Sequence, residues 1–327
     1  EEFRMKTKII FDTDIGCDCD DAAALALALE LMDAGECELL AVTHCTMSEA
    51  AAGCIEAILN YYGHPEVPVG TFREGDGIRP SEWHDVYASD VALAYDTRYR
   101  RRERYENTVA LLRRTLARTE GKATLVATGS LASLERLLES GPDEHSPLSG
   151  AELVGQKVER AVCMAGRFKE AWPEPVMIGD YEVEAEWNVK CDIPAAQTVC
   201  DRWPAELIFC SFEIGLKMIT CGGLQQRGAK DNPVRLCYES WSRKDGGGAV
   251  GRESWDGATM LYAIRPDAGY WDLYPHGKIC VDDEGRSSWK EEAGGKQSFL
   301  LEKMPYKEVE ALINEILERG IGRAAKF

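Results

Sequence analysis

The sequence predicts an α/β fold: an open, mostly parallel sheet with helices on both faces, in one domain carrying insertions. Three observations predict it. Short apolar runs bounded by turns alternate with longer helix-like stretches. The stretch Ala22–Met32 is apolar nearly all round, which marks a helix buried beneath neighbours. The chain has 327 residues with 45% hydrophobic content, enough for one sizeable core.

In order, "KIIFDT" reads as a buried strand and Ala22–Met32 as its following helix. "CELLAVT" is the next strand, Glu49–Tyr62 a helix, and "VPVG" a short strand. Arg73–Tyr105 is irregular, charged and aromatic, and suits a segment covering a site. Asn107–Arg118 reads as helix, "ATLVAT" as strand, "LASLERLLE" as helix and "VERAVCMA" as strand. After an irregular insert come a helix at Pro194–Arg202 and the strand "AELIFC". Gly246–Gly251 reads as a loop. Two tail strands, Lys278–Val281 and Gln297–Leu301, precede an amphipathic helix at Tyr306–Leu317. Met5 is read as the native start, Glu1–Arg4 as a remnant ahead of it, and residues 5–327 as the domain.

A net charge of -18 and a pI near 4.8 argue against nucleic acid or an anionic membrane as partner. No run of about 18 apolar residues suggests a membrane span. The twelve cysteines are scattered without a CxxC pair, which reads as reduced cytoplasmic thiols. Cys17 and Cys19 read as small spacers.

Open parallel sheets place their sites at the carboxyl ends of the strands. The first such end, "FDTDIGCDCDDAAAL", gathers five aspartates between Asp12 and Asp21 with no positive charge. Helix capping explains Asp20 or Asp21 but not Asp12, Asp14 and Asp18. An EF-hand does not fit, since no glutamate stands at the twelfth loop position. A phosphate-transfer site built on the strand-end DxD remains a rival, although it calls for threonine or valine where Gly16 stands. A cation among the carboxylates accounts for the cluster more fully.

This stretch resembles the N-terminal signature of the nucleoside hydrolases, the inosine–uridine-preferring family, with two residues added. "LVATGSLASLERLL", "AEWNVKCDIPAAQTV" and "SWDGATMLYAI" resemble three further segments of that family, in the same order and at about the same spacing. The resemblance covers most of the chain. It implies one calcium ion held by the carboxylates of Asp14, Asp21 and Asp256 and the carbonyl of Thr128. It implies a metal-bound water activated by Asp14, attacking the anomeric carbon of a ribonucleoside or related N-riboside to give ribose and free base. Glu186 and Asn188, spaced i, i+2 on one face of an extended segment, and Asp20 are then expected on the sugar. The resemblance also implies a homo-oligomer, dimer or tetramer.

The departures lie around the substrate. Where the family often carries a histidine thought to protonate the leaving purine, this chain has Trp255. Asp180 and Ser48 stand where asparagines are expected, and both are read as substrate-binding. His84, in "SEWHDVY", is the candidate for the missing acid, with His44 a second. Trp83, Tyr87, Tyr181 and Trp187 offer stacking surface. Two alternatives stay open: a non-catalytic riboside-binding protein that keeps the metal, and a magnesium-dependent phosphatase.

Overall fold

The computed structural model describes residues 6–76, 78–79 and 83–323. The proposed start at Met5 and the remnant before it lie outside the described residues. In chain order the elements are β1 (Thr7–Thr13), α1 (Asp20–Asp33), β2 (Cys37–His44), α2 (Glu49–Tyr62), β3 (Val69–Thr71), α3 (Ala88–Ala94), α4 (Arg98–Arg101), α5 (Thr108–Arg118), β4 (Ala123–Ala127), α6 (Ala132–Glu139), α7 (Gly150–Lys157) and β5 (Val158–Met164). There follow β6 (Met177–Ile178), β7 (Tyr181–Glu182), α8 (Trp187–Cys191), α9 (Ile193–Arg202), β8 (Glu206–Cys210), α10 (Phe212–Gly215), β9 (Ile219–Thr220), α11 (Gly222–Arg227) and α12 (Pro233–Lys244). The chain continues with β10 (Arg252–Glu253), α13 (Trp255–Ile264), β11 (Trp271–Leu273), β12 (Lys278–Val281), β13 (Ser287–Lys290), β14 (Gln297–Glu302) and α14 (Tyr306–Glu318).

Eight strands form the central sheet in the order β11-β14-β8-β5-β4-β1-β2-β3. All neighbours pair in parallel except β11, which runs antiparallel to β14 at one edge. The carboxyl-terminal halves of the inner strands are apolar and buried on both faces. One face packs α1, α2, α12, α13 and α14; the other packs α5, α6, α7 and α9. Helix α1 is buried from Asp20 to Leu31, so its all-round apolar surface meets protein on every side.

Local signals set several boundaries. Asn107 caps α5 and Asp192 caps α9, each accepting backbone N–H groups with its side chain. Two expectations need correction. The segment Arg73–Tyr105 is not wholly irregular, because α3 and α4 lie within it. Glu186 and Asn188 do not share one face of an extended segment: Glu186 caps α8, and Asn188 already lies in that helix.

Candidate active site

The carboxyl ends of β1, β4, β5 and β8 open onto one cavity of about 290 Å³. Asp14, Asp18, Asp20 and Asp21 line it, reached directly from the end of β1. Thr128 enters after β4, Met164 at the end of β5, and Phe212 just after β8. Glu186, Trp187 and Asn188 come from the start of α8, Ile178 from the β6–β7 hairpin, and Trp255 and Asp256 from the first turn of α13. Cys17 and Arg252 complete the wall.

Each of the five aspartates has its own surroundings. Asp12 points into the core, where Thr43 Oγ1 donates to Oδ1 at 2.6 Å and Oδ2 has no partner among the described residues. Burial pushes its pKa up to about 7. Asp18 receives Arg252, with Nε at 2.9 Å from Oδ1 and Nη2 at 2.7 Å from Oδ2. Asp20, Asp21 and Asp256 are buried, and each has a carboxylate oxygen within 4.8 Å of the others'. Asp20 Oδ2 also accepts the backbone N–H groups of Trp255 and Asp256, both at 3.1 Å, which ties the start of α13 to the start of α1. Asp21 Oδ1 accepts the hydroxyls of Thr13 and of Thr128, the latter at 2.8 Å.

Burial, then mutual repulsion, raises the pKa of Asp20, Asp21 and Asp256 well above the usual carboxylate range. Burial, with Asp20 and Asp18 nearby, pushes Asp14 up to about 7. Carboxylates crowded and buried in this way are stabilised by a shared cation. The donor set is all oxygen and comes from separate elements, which suits a hard divalent ion of tolerant geometry. The Thr128 carbonyl already accepts from Asn188 Nδ2 at 2.8 Å, and its second lone pair remains.

Two close approaches shape the loops. Gly16 has φ +123°, and a Cβ there would lie 2.9 Å from Trp83 and 2.8 Å from Ala88. The threonine or valine of a phosphatase loop is therefore disfavoured at this position. The Trp83 indole donates to the Asp14 carbonyl at 2.9 Å. The Tyr87 hydroxyl accepts from Gly16 N at 2.9 Å and donates to the Asp18 carbonyl at 2.6 Å. At the other wall, a Cβ on Gly215 would lie 2.4 Å from Trp255 Cα, so only glycine lets α10 approach α13 this closely.

Of the residues singled out in the sequence, Asp14, Asp20, Asp21, Thr128, Glu186, Asn188, Trp255 and Asp256 all line this cavity. Glu186 accepts the N–H groups of Asn188, Val189 and Gly166 at 2.7, 3.1 and 3.1 Å, and burial pushes it up to about 7. Others are not on its wall, among them Trp83, Tyr87 and Tyr181. Ser48 caps α2, its Oγ accepting from Ala51 N at 3.0 Å. Asp180 is exposed in the turn between β6 and β7. His84 is exposed beside Trp83 and absent from the cavity wall. His44 is wholly buried, held between the Ile15 carbonyl and the Thr46 backbone, and burial lowers its pKa to about 4.

Sequence reasoning missed Arg252. Its guanidinium sits over the rings of both Trp241 and Trp255, 4.9 Å from each centroid. Phe212 stacks on Trp255 at 5.3 Å. The signal was present in the run "GRESW", where an arginine falls just ahead of the last motif, but nothing local links it to Asp18.

The family model for inosine-uridine preferring nucleoside hydrolase matches residues 9–298. Among solved structures, an inosine-guanosine nucleoside hydrolase superposes with a TM-score of 0.73 at 19% identity, over 98% of this chain and 100% of that one. A purine-preferring ribonucleoside hydrolase from Gardnerella vaginalis gives 0.71 at 17% identity, over 97% and 100%. An inosine-uridine preferring nucleoside hydrolase from Bacillus anthracis gives 0.69 at 20% identity, over 96% and 100%. A search of curated protein sequences finds no match.

Proposed function

Because the chain belongs to the inosine-uridine preferring nucleoside hydrolase family, and is thereby a hydrolase acting on N-glycosyl bonds, we propose that it cleaves a ribonucleoside or related N-riboside into ribose and free base with calcium as its metal. The observation that carries this reading is the group of buried carboxylates from distant parts of the chain, converging on one cavity. Asp14, Asp21 and Asp256, with the Thr128 carbonyl, are the residues that would hold the ion. When bound, such an ion acts as a Lewis acid that makes water a better nucleophile at neutral pH.

The chain's own groups do the rest. Asp14 takes the proton from the attacking water. Asn188 donates through its side-chain N–H groups to the Thr128 and Met164 carbonyls, so a ribose hydroxyl would donate to its amide oxygen. Asp20 and Glu186 lie where a carboxylate favours the positive charge that develops on the ribosyl ring as the base departs. Phe212, Trp187 and Trp255 offer flat apolar surface to the base. The twelve free thiols suit a reducing compartment, the cytoplasm.

The test is reducing-sugar release from a panel of purine and pyrimidine ribonucleosides, with calcium and after chelation, for the wild type and Asp14→Ala. Release that needs both calcium and Asp14 supports the reading. Release that survives chelation, or that Asp14→Ala leaves intact, refutes it.

A further inference from the structure

We propose that the ring this site releases best already carries a positive charge, as in a ribosylated pyridinium or an N7-alkylated purine, and leaves as a neutral molecule. The inference rests on the hydrolytic reading above and names its substrate class.

When the bond between the anomeric carbon and nitrogen breaks, its electron pair stays on nitrogen. A neutral purine or pyrimidine would depart as an anion unless an acid protonates it, and a positioned acid is typically worth about 10²–10⁴-fold in rate. Among the described residues that line this cavity, most side-chain donors are committed elsewhere. The Trp255 indole donates to the Phe212 carbonyl at 2.8 Å. Both donor bonds of Asn188 go to the Thr128 and Met164 carbonyls, at 2.8 and 3.0 Å. The Thr128 hydroxyl donates to Asp21. Arg252 donates to Asp18 and, at 2.6 Å, to Glu253. Both oxygens of Glu186 accept backbone N–H groups, as does Asp20 Oδ2, which turns these carboxyl atoms toward the backbone. The chain has five histidines, and none of them lines the cavity.

The same wall favours a cation. Among the described lining residues six are acidic and one is basic, so the formal charge stays negative even beside a dication. Three aromatic residues, Phe212, Trp187 and Trp255, line it, and Trp255 already holds a cation over its ring in Arg252. Trp187 is 41% exposed and keeps surface for an incoming ring. In the step itself, the water oxygen bonds to the anomeric carbon and the carbon–nitrogen bond breaks. The electron pair returns to the ring and cancels its charge, and the water's proton passes to Asp14. No oxidant, reductant or further proton donor is required.

The full-length protein with calcium should be assayed for ribose release from two matched sets: 7-methylguanosine against guanosine, and nicotinamide riboside against inosine. The expected kcat/KM is at least about 100-fold higher for the charged member of each set, the gap that an enzyme with a working acid would close. Competition by N1-methylnicotinamide and neutral nicotinamide adds a readout free of turnover, and the charged ring should inhibit at lower concentration. Charged and neutral substrates cleaved within tenfold of each other, or equal inhibition by the two rings, would overturn this inference and leave the hydrolase standing. Ribose released from none of the four would overturn the hydrolase reading and this inference with it.

Discussion

Replacing Tyr87 by phenylalanine removes one oxygen and leaves the ring in its buried place at the start of α3. That oxygen bridges the aspartate loop, accepting from Gly16 N and donating to the Asp18 carbonyl. Gly16 is buried, so its N–H loses its partner with no route to water, at a cost of about 1–3 kcal/mol. Asp18 is half-buried and its carbonyl can turn to solvent, which adds less. The expected loss is roughly 2–3 kcal/mol of unfolding free energy, read from urea denaturation in the presence of a chelator. The same loop carries Asp14 on one side of the bridge and Asp20 and Asp21 on the other. Loosening it should weaken calcium binding by about tenfold, the equivalent of ~1.4 kcal/mol, measured by calorimetric titration. A variant that loses less than about 0.5 kcal/mol and binds calcium as the wild type does would refute the view that Tyr87 holds this loop in shape.

Gly215→Ala places a Cβ against the Trp255 backbone and should cost about 1–3 kcal/mol by overpacking. Because α13 also carries Asp256, calcium affinity should fall with it, and unchanged affinity would show that the close approach does not position that carboxylate. For the metal-stripped protein, the raised pKa values of Asp14, Asp20, Asp21 and Asp256 make the folded chain the stronger proton binder above the ordinary carboxylate value of 3.8. Stability is then fully present below pH 3.8 as far as these groups are concerned, and is lost as pH rises through about 7. Urea midpoints of the chelated protein should therefore drop between pH 5 and 8, and saturating calcium should flatten the profile. A midpoint that rises with pH under chelation sinks this account. His84→Ala should leave kcat within about twofold, since the side chain is exposed and off the cavity wall; a loss of tenfold or more would restore it as a candidate acid.

Much of the frame was legible because buried parallel strands and the all-round apolar α1 leave strong local patterns. The cavity's aspartates, Thr128, Glu186, Asn188 and Trp255 were legible because each sits in a short motif at a strand end or helix start. The rest was not, for physical reasons. Helix α12 is polar enough to hide its period, although Asn232 and Pro233 form a readable helix start. Arg252 meets Asp18 across 234 positions, a contact that no local pattern encodes. Ser48, Asp180 and His84 lie near the right places along the chain, but sequence position does not fix which way a loop residue faces. Ser48 turned inward to cap a helix, while Asp180 and His84 turned out to water.

The order in which the sheet is filled bears on how the chain is made. Strand β8 lies between β5 and β14, and β14 spans Gln297–Glu302, almost a hundred residues further along. A ribosome that has finished β8 has therefore released a strand with one naked side. It has also released Asp14 and Asp21 without Asp256, whose helix is still to come. Until that later segment is translated, the nascent chain has an unpaired sheet edge and lacks Asp256 from the carboxylate cluster. Early termination in that interval would yield a chain prone to edge-to-edge association, and a helper that shields β8 during synthesis would act on that interval alone.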